Sequence, residues 1–393
     1  MTNTNNEKLQ VVNEGNIELK DYRPIPVNGI DNYYYFSKLR KLVVNFYNLD
    51  LNFSDYWIFH HTDADGLCSG SLVYMWLVNI KKIPQPKIHL ISSDYSNDYT
   101  KYDIKENDCV FFVDLSFTES SVNKLKAINN IVKGNIFWID HHESNVDLLN
   151  NDKELDSMVN DWLACVLQDR KNMYSAAMLV YCTLFNTVPV NNVPKYVTFV
   201  SDWDTWNHNL PDSIYFTKGV NSDPDYWMSR YNKELDDYVI NYNSIWFRLF
   251  KESFENSNET LMNNLIENAR PVVDSEKVSN ARYLRSNGFE TELFGYKVLA
   301  CNQRSNTLLF GDEINNYDLV CPFVCHKRNG KMIYTYSLFT AKEDSVDCRK
   351  IAEQLGGGGH KKAAGFSLDF NIFTTNKHLL KFKLFKNKLK RKK

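Results

Sequence analysis

Residues 109–142 read CVFFVDLSFTESSVNKLKAINNIVKGNIFWIDHH. An apolar run (109–116) carries Asp114 near its end. A stretch that reads as helix follows (118–132), and a second apolar run (135–142) ends in Asp140, His141 and His142. Strand, helix, strand is the repeating unit of a parallel sheet, whose strands are buried on both faces and so are apolar throughout. The pattern extends in both directions. Runs at 57–61 and 87–93 come before it and one at 196–204 comes after, with helix-like stretches at 67–80 and 172–186 between. The expected class is α/β with a parallel sheet.

The flanking segments suggest the rest of the layout. Residues 1–30 are rich in Asn, Glu and Lys and read as a tail. Residues 31–215 form the first domain, opening with an amphipathic helix over 33–48. Residues 216–284 read as a helical connector without strand signal, in which Pro271 should interrupt the helix. Residues 285–372 read as a smaller mixed α/β domain. Its strands fall at 296–302, 317–327 and 331–340, the last two joined by an Asn329-Gly330 hairpin turn. A helix at 348–355 then runs into GGGGH (356–360). Residues 373–393 are a basic tail, suited to weak attraction to RNA or an anionic membrane, or simply solvated.

Composition removes several classes. With 43% hydrophobic and 24% charged residues, the chain is not dominated by disorder. No apolar run reaches the ~18–20 residues that span a bilayer. The first residues lack the apolar core of a signal peptide. A net charge of −2 means that any polyanion site is local. The eight cysteines form no CxxC pair, which fits reduced thiols in a cytoplasmic protein. Cys321, Cys325 and His326 offer too few ligands for a structural zinc site and read as strand residues.

The chemistry lies where acids and histidines meet the apolar runs. The first run ends in His60, His61, Asp63 and Asp65, the next in Asp114, another in Asp140, His141 and His142, and the last in Asp202 and Asp204. In an open parallel sheet these ends converge. Carboxylates crowded together do not all stay ionised without a cation. Added imidazoles shift the preference from magnesium toward Mn²⁺, Zn²⁺ or Fe. The ligand count suits two ions sharing a carboxylate, a device for phosphoryl chemistry. Gly66, Cys68, Ser69 and Gly70 let the next helix pack closely behind the first loop. The four consecutive glycines can form an anion-binding nest, beside which His360 adds a donor.

HxDxDG, the strand-terminal Asp, the literal Asp-His-His and a later SDxD resemble the four motifs of the DHH phosphoesterase superfamily. GGGGHKKAAGF resembles its DHH-associated C-terminal domain. The pattern is most similar to the nanoRNase B-type oligoribonucleases. The resemblance implies that His61 and Asp63 hold one metal, that Asp65, His141 and Asp202 hold the other, and that Asp114 bridges them. Asp202 is preferred to Asp204 because it directly follows the apolar run. His142 faces the scissile phosphate and Asp140 supports the histidines. Gly357, Gly358, Gly359 and His360 contact substrate. Where relatives often carry Arg, this chain has Phe339, so Arg349 or Lys350 supplies the charge or Phe339 stacks on a base. The implied activity is exonucleolytic, 3′ to 5′ hydrolysis of short RNA with two Mn²⁺ ions, for which Mg²⁺ or Co²⁺ can substitute. Alternatives are pAp, a linear or cyclic dinucleotide, or a silent nucleotide-binding module. The oligomeric state is open, a homodimer included.

Overall fold

The structure is a computed structural model. It describes residues 49–374 except 95–96, 120, 168–173, 186–192, 233–236, 256–257, 305–307, 329 and 343. The expected tail at 1–30, the helix at 33–48, Asn329 and the basic segment from 375 onward lie outside the described residues.

The chain begins with β1 (Tyr56–His60), α1 (Ala64–Met75), β2 (Ile88–Ser92), β3 (Cys109–Val113), α2 (Val122–Val132) and β4 (Ile136–Asp140). There follow α3 (Glu143–Asn151), α4 (Lys153–Met158), β5 (Ala164–Leu167), α5 (Ala176–Leu184), α6 (Lys195–Asp204) and α7 (Ser213–Asn221). The five strands make one sheet in the order β2-β1-β3-β4-β5, with every pairing parallel.

Both faces of this sheet are covered, which is why its strands lack alternation. Tyr56, Ile58, Phe111, Val113, Phe137 and Ile139 point into the core beneath α1, α5 and α6. Trp57, Phe59, Val110, Phe112, Ile136 and Trp138 point into the core beneath α2 and α3. Burying any one of these large side chains is worth about 1.5–3 kcal/mol.

Two assignments in this domain differ from the sequence reading. Residues 196–204 are not a strand. They form α6, which starts after Pro194 and buries Tyr196, Val197, Phe199 and Val200 at i, i+1, i+3, i+4. A short apolar run fits either period, and here the helical one wins. The fifth strand is instead β5, only four residues long.

The connector holds a two-stranded antiparallel ribbon, β6 (Ser229–Asn232) with β7 (Asp237–Ile240), where no strand was expected. Next come α8 (Ile245–Glu255) and α9 (Thr260–Asn287). Pro271 does not break α9. Its exposed ring sits on the solvent side, while Met262, Ile266, Ala269, Val273 and Leu284 hold the opposite face along the whole length. That continuous burial offsets the ~3 kcal/mol an internal proline costs.

The second domain contains β8 (Phe289–Leu293), β9 (Tyr296–Asn302), β10 (Leu319–Arg328), β11 (Lys331–Phe339), α10 (Cys348–Gln354), β12 (Gly358–Gly359) and β13 (Ala363–Leu368). Its six-stranded sheet runs β12-β13-β11-β10-β9-β8 and is antiparallel except between β9 and β10. Cys321 is buried and Cys325 exposed, both on β10. No described helix is long and apolar enough to cross a membrane.

Candidate metal centre

The site forms where β1, β3 and β4 end. After His60 the chain turns through His61 to Asp63, which caps α1 by accepting Gly66 N–H at 3.0 Å. The turn is tight. A Cβ on Gly66 would lie 2.4 Å from the His61 carbonyl oxygen, and one on Gly70 would lie 2.8 Å from the His60 ring. The small residues of DGLCSG thus press the start of α1 against the histidines. His60 itself is buried and donates from Nδ1 to its neighbour's carbonyl at 2.7 Å. Burial pushes its pKa down to about 4, so it supports the loop as a neutral ring.

Asp114 ends β3 with φ +55°, a left-handed conformation that Asp tolerates better than most residues. Its two carboxylate oxygens face different partners. Oδ2 lies 3.7 Å from His61 Nδ1. Oδ1 lies 3.5 Å from His141 Nε2 and 3.8 Å from His142 Nδ1. Both oxygens are buried without a hydrogen bond. Burial, then Asp63 and Asp65, hold its pKa well above the ordinary carboxylate range.

Among the groups whose ligating atoms lie within 4.8 Å of one another are two donor sets, His61, Asp63 and Asp114, and Asp65, His141 and Asp204; Asp114 also groups with Asp140, His141 and His142, and His360 with His141 and His142. His61 Nδ1 is 2.8 Å from Asp63 Oδ2. Burial opposes protonation of His61, but Asp114 and Asp63 outweigh it and the pKa is pushed up to about 11. Asp65 accepts the Ala176 and Ala177 N–H groups at 2.8 and 2.9 Å, which aims it from α1 toward α5.

The fourth motif needs a correction. Asp202 does not join either set. Its carboxylate accepts Asn209 N–H at 2.8 Å, Leu210 N–H at 3.2 Å and the Ser213 hydroxyl at 2.7 Å. Those bonds bind the segment after α6 into shape. Asp204, two residues on and so on another side of the helix, puts Oδ2 3.2 Å from His141 Nε2. That oxygen is buried without a hydrogen bond, and burial and Asp65 raise its pKa well above the usual range. Preference for Asp202 followed from reading a strand where a helix stands.

Asp140 accepts from His142 Nδ1 at 2.9 Å and from the His142 amide at 3.0 Å. Its other support, Asn145, was not singled out in the sequence. Asn145 donates to Asp140 at 2.5 Å and accepts Phe117 N–H at 2.7 Å. Its only sequence signal is its place in the first turn after DHH. Burial works against ionisation of Asp140, but the His142 and His141 rings outweigh it and lower its pKa.

The glycine loop reaches this centre from the second domain. The His360 ring lies 4.9 Å from His142 and 5.2 Å from His141, centroid to centroid. Burial, then His142 and His141, hold its pKa well below the ordinary value, which keeps it neutral. The loop is an ordered sheet edge: Gly358 and Gly359 pair with Gly365 and Ala364. A Cβ on Gly357 would lie 1.8 Å from the Gly365 carbonyl oxygen, and Gly359 has φ +137°. Gly358 faces open space.

Two proposed substrate contacts are otherwise engaged. Arg349 pairs with Glu143 at 2.9 Å, Asp147 at 2.7 Å and Glu353 at 2.7 Å, bracing α10 against α3. With three carboxylates around it, it is a tie between domains rather than an open cation. Phe339 is buried, its ring stacked on Trp206 at 4.9 Å.

The donors fit divalent metal ions: carboxylates and imidazoles, three of the carboxylate oxygens buried without a hydrogen bond. Residues 55–186, the stretch that carries His61, Asp63, Asp65, Asp114, His141 and His142, match the DHH family, N-terminal domain. The chain is similar to an uncharacterised protein, R106, of Acanthamoeba polyphaga mimivirus, 23% identical over 184 residues, 46% of this chain and 38% of that one. The chain thus spans well under half the length of that relative. It is also 23% identical over 326 residues to the oligoribonuclease NrnB of Bacillus subtilis, covering 81% of this chain and 74% of the other. Among solved structures, a pGpG-specific phosphodiesterase, PggH, of Vibrio cholerae aligns with a TM-score of 0.42 and 12% identity over 85% of this chain and 98% of the other.

Proposed function

We propose that the protein is a metal-dependent phosphodiesterase that trims short oligoribonucleotides from one end to mononucleotides. The observation that carries this reading is the approach of His360 and its glycine loop to the DHH histidines. A loop that holds a strand terminus so near the donor sets leaves room for about one nucleotide, at roughly 6–7 Å per residue of extended strand, twice the stacked repeat per strand. The oligoribonuclease named for the Bacillus relative agrees with it.

His61, Asp63 and Asp114 would hold one ion and Asp65, His141 and Asp204 the other, with Asp114 shared; Mn²⁺ suits the mixed donors. Bound there, such ions polarise a phosphodiester and acidify water. The chain's own residues do the rest. Asp140 holds a proton on His142 Nδ1 and leaves Nε2 to face the substrate phosphate. His360, kept neutral, offers a hydrogen bond without adding charge. The open side of Gly358 admits close backbone approach.

The test is kcat/KM with Mn²⁺ on RNAs of two to twenty-four nucleotides, labelled at each end in turn, beside pAp and a cyclic dinucleotide. Turnover on two to five nucleotides should exceed that on the longest by at least tenfold, an order-of-magnitude expectation for a site that holds a strand end rather than threading a long strand along an extended groove. A flat or rising profile would reject the reading in favour of a processive nuclease. Rapid hydrolysis of pAp or the cyclic dinucleotide without RNA cleavage would move it to small nucleotides.

A further inference from the structure

The second sheet ends in two unlike edges. Its order puts β12, with the glycine loop, at one edge and β8 at the other, five strand spacings or about 24 Å apart. Among the described residues no strand pairs with the outer edge of β8. β8 and β9 meet in a two-residue turn, Phe294-Gly295, with φ of +56° and +86°. In such a hairpin the flanking residues, here Leu293 and Tyr296, exchange hydrogen bonds. Alternation along the antiparallel pair then directs the amides and carbonyls of Glu290 and Glu292 outward. One face of the strand is apolar: Leu293 lies in the core, and Phe289 is 39% exposed at its margin. An edge that carries an exposed aromatic ring is a template for another strand.

The chain itself is delivered to that edge. After β13 it crosses the face of the sheet. The Ile372 amide donates to the Tyr336 hydroxyl of β11 at 3.0 Å. The Phe373 ring then packs on Phe323 of β10 at 5.0 Å and on Phe289 of β8 at 5.3 Å, centroid to centroid. A few residues further on, the sequence reads Leu380-Lys381-Phe382-Lys383-Leu384. β8 reads Phe289-Glu290-Thr291-Glu292-Leu293. The two segments share a period of two and carry opposite charge at the same places. Lined up in either direction, Phe382 falls opposite Thr291, both lysines fall opposite glutamates, and the leucines fall opposite Phe289 and Leu293. Opposite-charge and apolar cross-strand pairs of this kind are favourable. The link from Phe373 to Leu380 can span about 23 Å and a five-residue strand is about 17 Å long, so both directions are within reach.

We infer that residues 380–384 add to the outer edge of β8 in their own chain as a seventh strand of the second sheet. The added strand covers the outward amides and carbonyls of Glu290 and Glu292 and extends the apolar face over Phe289. Lys381 and Lys383 then pair with Glu290 and Glu292, at the edge of the sheet opposite the glycine loop and so away from the metal centre. The basic segment thus acts as a clasp on the second domain rather than as an arm that gathers polyanions.

Hydrogen exchange of the full-length protein, read by mass spectrometry, tests the pairing without reference to activity. Wild-type amides within 380–384 should exchange about tenfold or more slowly than those of an unstructured peptide of the same sequence, independently of protein concentration. Phe382→Pro, which removes a ladder amide, should abolish that protection and also speed exchange within 289–293. Lys381→Glu/Lys383→Glu should speed exchange in both segments several-fold, because like charges then face each other across the edge. Unstructured rates at 380–384 in wild type would overturn the inference whatever the variants do. Protection that Phe382→Pro removes with no change in 289–293 would overturn it too, since the segment would then dock elsewhere. Wild-type rates in the lysine variant would overturn the charge-matched pairing, and protection that grows with protein concentration would make a second copy the occupant instead.

Discussion

His141 Nε2 and Asp204 Oδ2 stand 3.2 Å apart, joining the end of β4 to the end of α6, while Asp202 turns back into its own loop. The pair closes one donor set and gives the two acids opposite expected phenotypes. Asp204→Asn should keep the fold and lose one equivalent of bound metal together with at least a hundredfold in turnover. Asp202→Ala should leave the Asn209 and Leu210 amides unpaired and cost about 2–4 kcal/mol of stability. Metal analysis beside thermal melts separates them, and the reverse pattern would restore Asp202 as the ligand.

Asp114→Asn tests the shared carboxylate. Both oxygens are buried without a hydrogen bond, so in the metal-free protein ionising Asp114 opposes folding. The variant should melt at the same temperature as chelated wild type or higher, and its Mn²⁺-dependent activity should fall by several orders of magnitude. Near-normal turnover would end the two-ion arrangement.

Much of this was readable from the residues, and the failures share one cause. The stretch from β3 through α2 to β4 was legible because its strands are buried on both faces and its ends carry Asp114 and Asp140. Residues 196–204 were not, because YVTFV satisfies a buried strand and one face of a helix equally; only the packing of Tyr196 and Val200 decides. That ambiguity carried over to the site: Asp202 and Asp204 would share one face of a strand, whereas on a helix they point different ways, Asp204 to His141 and Asp202 into its own loop. β5, at four residues, falls below any periodicity signal. Pro271 misled because its neighbours' burial, not its own ring, sets the course of α9. Arg349 read as a free cation because the carboxylates of α3 that engage it lie two hundred residues away.

The glycines of the loop should behave differently although adjacent. Gly357→Ala places a Cβ against a carbonyl oxygen at 1.8 Å and should destabilise the second domain. Gly358→Ala meets nothing and should fold normally, and Gly358→Val should raise KM by blocking the substrate's approach. His360→Ala should likewise raise KM while metal content stays at the wild-type level. Metal loss in His360→Ala or Gly358→Val would contradict the division of labour between the domains.

The last prediction concerns pH. Asp114 and Asp204 have folded pKa values well above their ordinary 3.8, so the folded metal-free protein keeps protons that the unfolded chain releases. Its stability therefore falls as pH rises toward those raised values. His61, raised from 6.5 to about 11, acts in the same direction: its contribution is full below 6.5 and is lost as pH climbs toward 11. His60 and His360 are lowered and act in the opposite sense, but only below about 6.5, where the unfolded rings begin to charge. Above neutrality all the cited shifts agree, and the chelated protein should melt at progressively lower temperature from about pH 7 to pH 9. Bound metal reverses the trend, because the ions need the same groups deprotonated and their affinity rises as protons leave. Saturating Mn²⁺ should therefore raise the melting temperature more at pH 8.5 than at pH 6.5. Scanning calorimetry at both values, with EDTA and with Mn²⁺, checks the sign; a chelated protein more stable at the higher pH would show that these carboxylates are not held protonated in the fold.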